Sequence, residues 1–322
     1  MSDKVRVALI GAGGMANSVH YPSLAEFDDV ELVGLCDLVE DKLQATADKF
    51  GIERRYTDYR KMVEETGPQA VYVLMPPHQL FDIVVWLLKR KLHVFIEKPP
   101  GVSREQTRQM AHWAEEMGCL TMVAFNRRFI PVLRYCRDKV RKEGGYIHQC
   151  VATFYKDHRT GGPYYDGAVD ILTSDAIHAV DALRFMAGVE PVKVASSVRA
   201  LGRHFETSFN VLIEFENGCV GVLLSNWMTG GRVHTFEMHG FGISAFCDAD
   251  TQAFFHKDNE LNVEVISATD AAGSEARHKS YGFFGENRHF IDCIKANQEP
   301  ETCFTDAVKT MDLVEAIYRQ AW

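Results

Sequence analysis

The sequence lacks the features that would point to a membrane protein or a nucleic-acid-binding protein. No segment reaches the roughly 18 uninterrupted apolar residues needed to span a bilayer. Positive charge is in deficit, because 35 Lys and Arg face 44 Asp and Glu for a net charge of −9. This balance argues against nucleic acid or an anionic membrane as a partner. The N-terminus runs into a strand pattern without an apolar signal region, so we predict a cytoplasmic location.

Cysteine and histidine residues at metal-ligand spacing are also missing. The eight cysteines include no Cys-x-x-Cys pair and therefore no zinc ribbon. Free thiols are typical of a reducing compartment. Histidines such as His20, His112 and His289 show no metal-ligand spacing, so we predict core or surface roles for them and no metal site.

The 322 residues exceed what one hydrophobic core usually holds, so we predict two domains. In residues 1–125, short apolar strands alternate with helices, which predicts a Rossmann-type, doubly wound parallel sheet. In residues 126–322, long strands follow one another directly, which predicts an α+β domain with a large open, mainly antiparallel sheet. One long helix interrupts it at 171–187, and the C-terminal helices are candidates to pack back on the first domain.

Two local features of the second domain give sharper expectations. Asn217-Gly218 lies between two apolar runs and predicts a hairpin with a type I′ turn, which needs positive φ at both central positions. The charged segment 269–280 is predicted to be a mobile loop.

A glycine-rich turn follows the first strand and opens a helix. Its pattern is Gly-x-Gly-x-x-(Gly/Ala), and in this context it predicts a pyrophosphate held by a helix N-terminus. An empty glycine turn is the alternative. The next strand ends in Asp37, which can accept hydrogen bonds from ribose hydroxyls and repels a 2′-phosphate, so we predict NAD rather than NADP. The turn consists of Gly11, Ala12, Gly13, Gly14, Met15 and Ala16.

Lys98 follows the fourth strand within Glu97-Lys98-Pro99-Pro100. Ligands of open α/β sheets bind outside the carboxyl ends of the strands, so a lysine there is expected to lie beside the cofactor. An ordinary surface lysine at a turn is the alternative.

A second candidate lies on the helix at 171–187. Residues three or four apart share a helix face, which predicts that Ser174, Asp175, His178 and Asp181 cluster. A histidine beside carboxylates can exchange protons near neutral pH. A satisfied core histidine with a capping aspartate is the alternative.

Taken together, these motifs resemble the glucose–fructose oxidoreductase / inositol dehydrogenase (Gfo/Idh/MocA) family. The resemblance extends over nearly the whole chain and includes the segment from Phe125 to Pro131 and the turn at His239-Gly240-Phe241-Gly242. It implies hydride transfer to or from a carbinol carbon of a sugar, inositol or related polyol. It also implies that Lys98 polarises the reacting oxygen while His178 accepts the hydroxyl proton.

The resemblance further implies contacts for residues outside these two motifs. Those implied on the cofactor side are Met75, Pro76, His78, Glu97, Lys98, Asn126 and Tyr281. Arg127 belongs to the segment that the family places beside nicotinamide and substrate. The polar segment around 157–166 suits a polyhydroxylated ligand, although it could be an ordinary surface loop. Our predicted substrate contacts are Lys98, Arg127, Tyr155, His158, Tyr164, Tyr165, Asp175 and His178.

Two departures from the family pattern bear on the substrate. The family's Asp-x-Gly-x-His has Ser174 at its first position, and the acid follows one place later at Asp175. The family's Thr-Pro-Asn-x-x-His segment appears here as residues 75–80, without the asparagine and with a leucine for the last histidine. Both put the identity of the substrate in doubt more than that of the cofactor.

The prediction is therefore an NAD(H)-dependent dehydrogenase or reductase acting on CH–OH groups, with Lys98, His178 and Asp175 as its catalytic residues. Two alternatives stay open: an NAD-dependent glycosidase that uses transient oxidation and elimination, and a non-catalytic sensor of NAD or sugar. The exposed face of a long antiparallel sheet is usually covered, which predicts a homo-oligomer, a dimer or tetramer, formed through that sheet.

Overall fold

The structure is a computed structural model that describes residues 4–320. The residues at the outer ends of our two predicted domains, 1–3 and 321–322, lie outside the described part. The chain divides into two compact units. The first comprises the residues up to Ala124 together with Phe283–Val308, and the second comprises Phe125–Gly282 together with the residues from Lys309 onward. The assignment of nucleotide binding to one domain and of substrate binding and oligomerisation to the other stays a prediction.

The first unit contains a six-stranded sheet in the order β3-β2-β1-β4-β5-β6, and every pair of neighbours is parallel. This confirms the predicted doubly wound sheet. Its central strands are mostly apolar and buried, with Arg6 of β1 exposed, as expected where helices cover both faces. The strands are β1 (Val5–Ile10), β2 (Val30–Cys36), β3 (Arg55–Tyr56), β4 (Ala70–Val73), β5 (His93–Ile96) and β6 (Thr121–Val123).

The register aligns the carboxyl ends of four strands. Ile10 is paired with Cys36 on one side and with Val73 on the other, and Val73 is paired with Ile96. The residues that follow these strands therefore lie along one edge of the sheet: Gly11, Asp37, Leu74 and Glu97.

The helices of the first unit begin and end where local chemistry favours it. Asp58 and Ser103 each accept a backbone N–H of the first turn, and Gly51, Gly67 and Gly118 end helices in the left-handed region. A π-helical turn at Ala16–His20 precedes the first α-helix. The α-helices are α1 (Tyr21–Ala25), α2 (Glu40–Phe50), α3 (Tyr59–Thr66), α4 (Pro77–Leu88), α5 (Arg104–Met117) and, after the second unit, α10 (Phe283–Ala296).

The second unit contains an eight-stranded sheet in the order β14-β13-β12-β11-β7-β10-β9-β8. Only β7 and β10 are parallel among its paired strands, so the predicted mainly antiparallel sheet is confirmed. The strands are β7 (Gln149–Asp157), β8 (Pro191–Arg199), β9 (Ser208–Phe215), β10 (Val220–Asn226), β11 (Met228–Gly240), β12 (Ile243–Asp248), β13 (Gln252–Lys257) and β14 (Glu260–Ser267).

Helices cover one face of this sheet. Side chains along β9 and β10 alternate between buried and more exposed, because one face packs against helices. The apolar side chains of Leu212 and Val220 are exposed on the other face. The helices are α6 (Pro131–Gly144), α7 (Ile177–Ala187), α8 (Ala268–Ala272) and α9 (Arg277–Ser280), and α11 (Phe304–Arg319) is divided between the units.

Several sequence expectations need correction. The hairpin between β9 and β10 exists, but only Gly218 of its turn has positive φ, at 80°. Gly218 N donates to Phe215 O at 2.9 Å, and Phe215 N donates to Cys219 O at 2.9 Å. The type I′ prediction was therefore wrong, and the connection is a three-residue loop that ends in a left-handed glycine. The segment 269–280, predicted as a loop, contains most of α8 and all of α9.

Candidate functional site

The glycine-rich turn begins with a residue that must be glycine. Gly11 has φ of +105°, and a Cβ there would lie 2.4 Å from the carbonyl oxygen of Leu74. The phenol of Tyr21, itself buried, donates to the Gly11 carbonyl at 2.7 Å and fixes the turn to α1. Chain reversal and close packing between β1 and β4 therefore both depend on this position.

The next two glycines lie where a ligand could approach the backbone. A Cβ at Gly13 or Gly14 would meet nothing within 4 Å. Met15 is 49% exposed, whereas Ala16 is buried against the sheet. The open backbone at the start of the helix fits a pyrophosphate, because the first N–H groups of a helix lack partners within it.

Asp37 connects this turn to the end of β2. Its Oδ2 accepts from Ala12 N at 2.7 Å, and its Oδ1 accepts from Val39 N at 2.7 Å. A carboxylate has about four acceptor positions, so it can accept further bonds from ribose hydroxyls. Leu38 beside it is 79% exposed. The glycine turn and Asp37 together fit a dinucleotide whose ribose carries free hydroxyls.

Glu97 is held by His20, for which the sequence predicted only a core or surface role. His20 is fully buried, and its Nε2 lies 2.8 Å from Glu97 Oε1. Asn287 Nδ2 donates to His20 Nδ1 at 3.1 Å, so in neutral His20 the proton is on Nε2 and is donated to Glu97. Burial raises the pKa of Glu97, but the bond from His20 and the charge of Lys98 outweigh it and lower the pKa below its usual value.

Lys98 therefore follows a fixed carboxylate. Its backbone N–H donates to Glu97 Oε2 at 3.1 Å, and the Lys98–Pro99 peptide is cis. Lys98 is half-buried. Of the segment after β4, Met75 and Pro76 are half-buried and His78 is exposed at the start of α4.

In the second unit, a π-helical turn precedes α7. It covers Leu172–Ala176 and joins α7 directly. A π turn holds one more residue than an α turn, which changes the direction in which neighbouring side chains point. Ser174, Asp175 and His178 are all buried.

Asp175 is bound by side chains from other parts of the unit. Its Oδ2 pairs with Lys156 Nζ and accepts from the Tyr164 hydroxyl at 3.0 Å. Trp227 Nε1 in turn donates to the Tyr164 oxygen at 3.2 Å. Burial and the charge of Asp175 raise the pKa of Tyr164, so this phenol stays protonated as a donor. The displaced carboxylate is therefore a fixed, buried anion one turn before His178.

Asp181 on α7 pairs with an arginine from another element of the unit. It is fully buried, and Arg128 contacts both of its oxygens, with Nε 2.8 Å from Oδ2 and Nη2 2.6 Å from Oδ1. The hydroxyl of Thr310 also donates to it, at 2.9 Å. That Asp181 shares a helix face with Ser174, Asp175 and His178 stays a prediction, while the contacts of its carboxylate are with a buried arginine and a threonine.

Asn126, Arg127 and Tyr281 do come together. Asn126 Nδ2 donates to the Tyr281 carbonyl at 2.8 Å, and its Oδ1 accepts from Arg127 Nη1 at 2.7 Å. The guanidinium carbon of Arg127 lies 4.7 Å from the centre of the Tyr281 ring. Gly282 makes this approach possible, since a Cβ there would lie 2.3 Å from Asn126 O.

Of the predicted polar segment at 157–166, Tyr164 contacts Asp175 and His158 contacts Tyr164. His158 stacks on Tyr164, with ring centres 5.3 Å apart, and its Nε2 lies 2.7 Å from Gly162 O. Tyr165 is 39% exposed and has a φ of +51°. Tyr155 is half-buried on β7.

Sequence reasoning missed four polar residues near Tyr281 and Asp175. Lys156 is the penultimate residue of β7, and Arg232 and His234 are on β11. His234 is buried in the same alternating row as Phe236 and Met238, a period-two pattern that could have identified it. Asp250 follows β12 and pairs with Arg232.

Comparison with known proteins shows the family. The sequence profile of the oxidoreductase family with an NAD-binding Rossmann fold (GFO_IDH_MocA) matches residues 5–125, and that of the GFO/IDH/MocA C-terminal domain matches residues 141–243. Together they match well over half of the chain. The chain belongs to the Gfo/Idh/MocA oxidoreductase family.

Individual known proteins are similar to this chain over different shares of its length. D-glucoside 3-dehydrogenase of Escherichia coli K12 is 29% identical over 206 residues, 60% of this chain and 56% of that protein. The scyllo-inositol 2-dehydrogenase (NAD(+)) of Bacillus subtilis 168 is 23% identical over 97% of this chain and 93% of that protein. The crystal structure of a dehydrogenase from Chromobacterium violaceum has a TM-score of 0.88 at 19% identity, with 99% of this chain and 96% of that one covered.

No helix within residues 4–320 is long and apolar enough to cross a membrane.

Proposed function

We propose that this Gfo/Idh/MocA protein transfers hydride between NAD(H) and a carbinol or keto carbon of a sugar, inositol or related polyol. The observation that carries the proposal is the shared carboxyl edge in the first unit, where the glycine turn, Asp37 and Glu97-Lys98 follow neighbouring strands. The names of two relatives, a D-glucoside dehydrogenase and a scyllo-inositol dehydrogenase, support this substrate class.

Asp37 supports NAD over NADP. Its carboxylate is already fixed by two backbone N–H groups, so it cannot turn away from a 2′-phosphate without losing both bonds. The carboxylate would repel the negative charge of a 2′-phosphate, whereas the two ribose hydroxyls of NAD would donate hydrogen bonds to the same oxygens.

The proposed roles separate binding from proton transfer. Bound NAD supplies the acceptor for hydride, and the protein positions the substrate and moves its hydroxyl proton. Lys98 polarises the reacting oxygen, His178 accepts the proton, and Asp175 supplies a fixed negative charge beside this histidine. An ammonium suits the first task because it donates hydrogen bonds to an oxygen, and histidine suits the second because it is the side chain most often used to accept a proton in catalysis.

The remaining contacts are proposals from the family resemblance. For the cofactor they are the backbone of residues 11–16 with Asp37, Met75, Pro76, His78, Glu97, Asn126 and Tyr281. For the substrate they are Arg127, Tyr155, His158, Tyr164 and Tyr165.

Lys98→Met tests the proposal. We expect turnover, followed as NADH absorbance over a panel of sugars and inositols, to fall about 1,000-fold, because general acid–base groups usually contribute 10²–10⁴. The dissociation constant of NADH, measured by fluorescence, should change far less than turnover, since the glycine turn and Asp37 remain to bind the cofactor. Lys61→Met, an exposed lysine on α3, is the matched control and should keep full turnover.

Other outcomes would contradict the proposal in distinguishable ways. Full turnover by Lys98→Met would remove its assigned role. Release of an aglycone without net NADH would support the glycosidase alternative. Cofactor binding with neither product would support the sensor.

A further inference from the structure

Four cationic side chains of the second unit surround two aromatic rings. Lys156 Nζ lies 5.2 Å and the Arg232 guanidinium carbon 5.9 Å from the centre of the Phe154 ring. Arg232 also lies 5.8 Å from the Tyr281 ring, which is approached by two further guanidinium groups, at 4.7 and 4.3 Å. Arg232 joins the two groups, so we treat them as one cationic cluster that consists of Arg127, Lys156, Arg232 and Arg277.

The carboxylates that pair with this cluster leave it positive. Asp175 pairs with Lys156, and Asp250 pairs with both Arg232 and Arg277. Four cations therefore share two carboxylates, in a chain whose overall net charge is −9. The excess of positive charge is confined to this cluster, since the chain as a whole is negatively charged.

Arg127 has the least compensated charge of the four. It is 7% exposed, and its Nη1 donates to the neutral Asn126 Oδ1 at 2.7 Å. Its Nε finds no hydrogen-bond partner within residues 4–320, and no carboxylate in that range forms an ion pair with it. Buried guanidinium groups usually have a hydrogen-bonded anion, so this side chain lacks the partner that its chemistry requires.

His234 adds a second buried donor without a partner. It is 2% exposed and stacks on Phe154 with ring centres 3.9 Å apart. Neither ring nitrogen has a hydrogen-bond partner in the described part of the chain. Burial, together with the charges of Arg127, Arg232 and Lys156, holds the pKa of His234 well below its usual value, so the ring is neutral and offers one N–H.

The cluster runs from this buried end to the surface. The Arg232 side chain is 38% exposed, whereas Arg127 and His234 are buried. A ligand group could therefore be received at Arg232 and bound by donors that are otherwise unused. Planar guanidinium forks match the oxygens of carboxylate and phosphate, and an oxyanion would supply the negative charge that the cluster lacks.

We propose that the cationic cluster binds an oxyanion group of the substrate, so that the preferred substrate is an acidic sugar, a carboxylate or a phosphate ester, rather than a neutral one. This inference rests on the proposed function, because it assigns a substrate class to the same dehydrogenase. A cluster with a purely structural role would be stabilised by the aromatic rings alone. The enzyme would then not distinguish charged from neutral sugars.

Matched pairs of sugars test the proposal. The pairs are glucuronate with glucuronamide, galacturonate with galacturonamide, and glucose 6-phosphate with glucose. We expect at least one charged member to have a kcat/KM about 100-fold above its neutral partner, as is typical of a buried charge-assisted contact. Preference for a uronate identifies carboxylate as the group, and preference for the ester identifies phosphate.

Variants then locate the effect. Arg232→Gln and Arg127→Lys should reduce the charged-to-neutral ratio at least tenfold, since one removes a charge and the other keeps the charge but loses the fork. Arg232→Gln alters a half-exposed side chain, so it should fold even if changes at Arg127 do not. Arg108→Gln on α5 removes the same charge from an exposed position and should leave the ratio unchanged.

Three results would overturn the inference. These are a ratio near one in the unaltered protein, a ratio that survives both variants, and the absence of turnover and calorimetric binding for every acid in the NADH-loaded protein. Turnover of neutral sugars alone would uphold the proposed function while rejecting the acidic substrate. If the unaltered protein neither bound NADH nor turned over any sugar, the proposed function itself would be rejected.

Discussion

In the first unit, the candidate functional groups follow neighbouring parallel strands, whereas in the second they come from positions as far apart as Arg127, Lys156, Asp175, Arg232 and Tyr281. A parallel sheet aligns the ends of its strands, so a short motif after each strand is enough to form that part of a site. In the second unit, each group is held by a side chain from another element.

This difference has a physical consequence. Gly11, Asp37 and Glu97 are tied mainly by backbone donors or a single side chain, so a change at one should act locally. Asp175, Lys156, Tyr164 and Trp227 form a connected set, so a change at one should be felt by the others.

The largest expected effect comes from breaking the buried ion pair between Asp181 on α7 and Arg128. Asp181→Asn should lower the free energy of unfolding by about 3–5 kcal/mol, because it leaves the buried charge of Arg128 without its carboxylate. Urea denaturation measures this loss. Asp157→Asn removes an exposed carboxylate that pairs with Arg159 and should cost far less than Asp181→Asn. Equal effects from the two variants would show that Asp181 is not a structural anchor.

The next effect concerns the buried His20–Glu97 pair of the first unit. His20→Leu should cost about 2–3 kcal/mol at pH 7, since it removes the side-chain donor to the largely buried Glu97. The pKa of Glu97 is lowered in the folded protein, so its contribution is present above the unfolded pKa of about 4.3 and is lost as pH falls through the folded value.

The pH dependence distinguishes this mechanism from simple loss of packing. The penalty of His20→Leu should therefore shrink in acid, below about pH 4. His112→Leu, at an exposed position on α5, should be nearly neutral at every pH. A penalty that does not change with pH would mean that His20 contributes packing only.

The smallest effect tests a pair that joins sequence-distant parts of the first unit. Asp29 contacts Arg288 at 2.7 Å and Lys295 at 2.6 Å on α10, and these bonds lower its pKa from 3.8 to about 2. Its stabilisation should be complete above about pH 4 and lost as pH falls toward 2. Asp29→Asn should cost about 1 kcal/mol at pH 7, measured by urea denaturation, and clearly less at pH 2. A loss of the same size at both pH values would exclude the charge as its cause.

Much of the first unit was predictable because its helices and turns are specified by residues close together in the sequence. Strand ends, Gly51 and Gly118 at helix ends, and the Gly11 turn all carry their structural reason within a few residues. The short helix at 59–66 was missed, since it is polar and lies between β3 and β4 without a strong apolar pattern.

The second unit was less predictable for a different reason. The helix at 131–144 was not anticipated, although Pro131 at its first position is a typical helix start. The edge strand β14 was missed as well, because most of its residues are exposed and do not alternate clearly. The partners of Asp175 depend on strand pairing between β7 and β11, which no local motif specifies.

The most direct test compares one variant from each unit by two measurements, the dissociation constant of NADH and kcat at saturating NADH. Asp37→Ala should weaken NADH binding at least tenfold and change kcat little, and Asp175→Asn should lower kcat about 100-fold and change NADH binding less than threefold. Both variants could instead weaken NADH binding to the same extent and leave kcat unchanged. In that case the assignment of cofactor binding to the strand ends, and of proton transfer to His178 on α7, would be wrong.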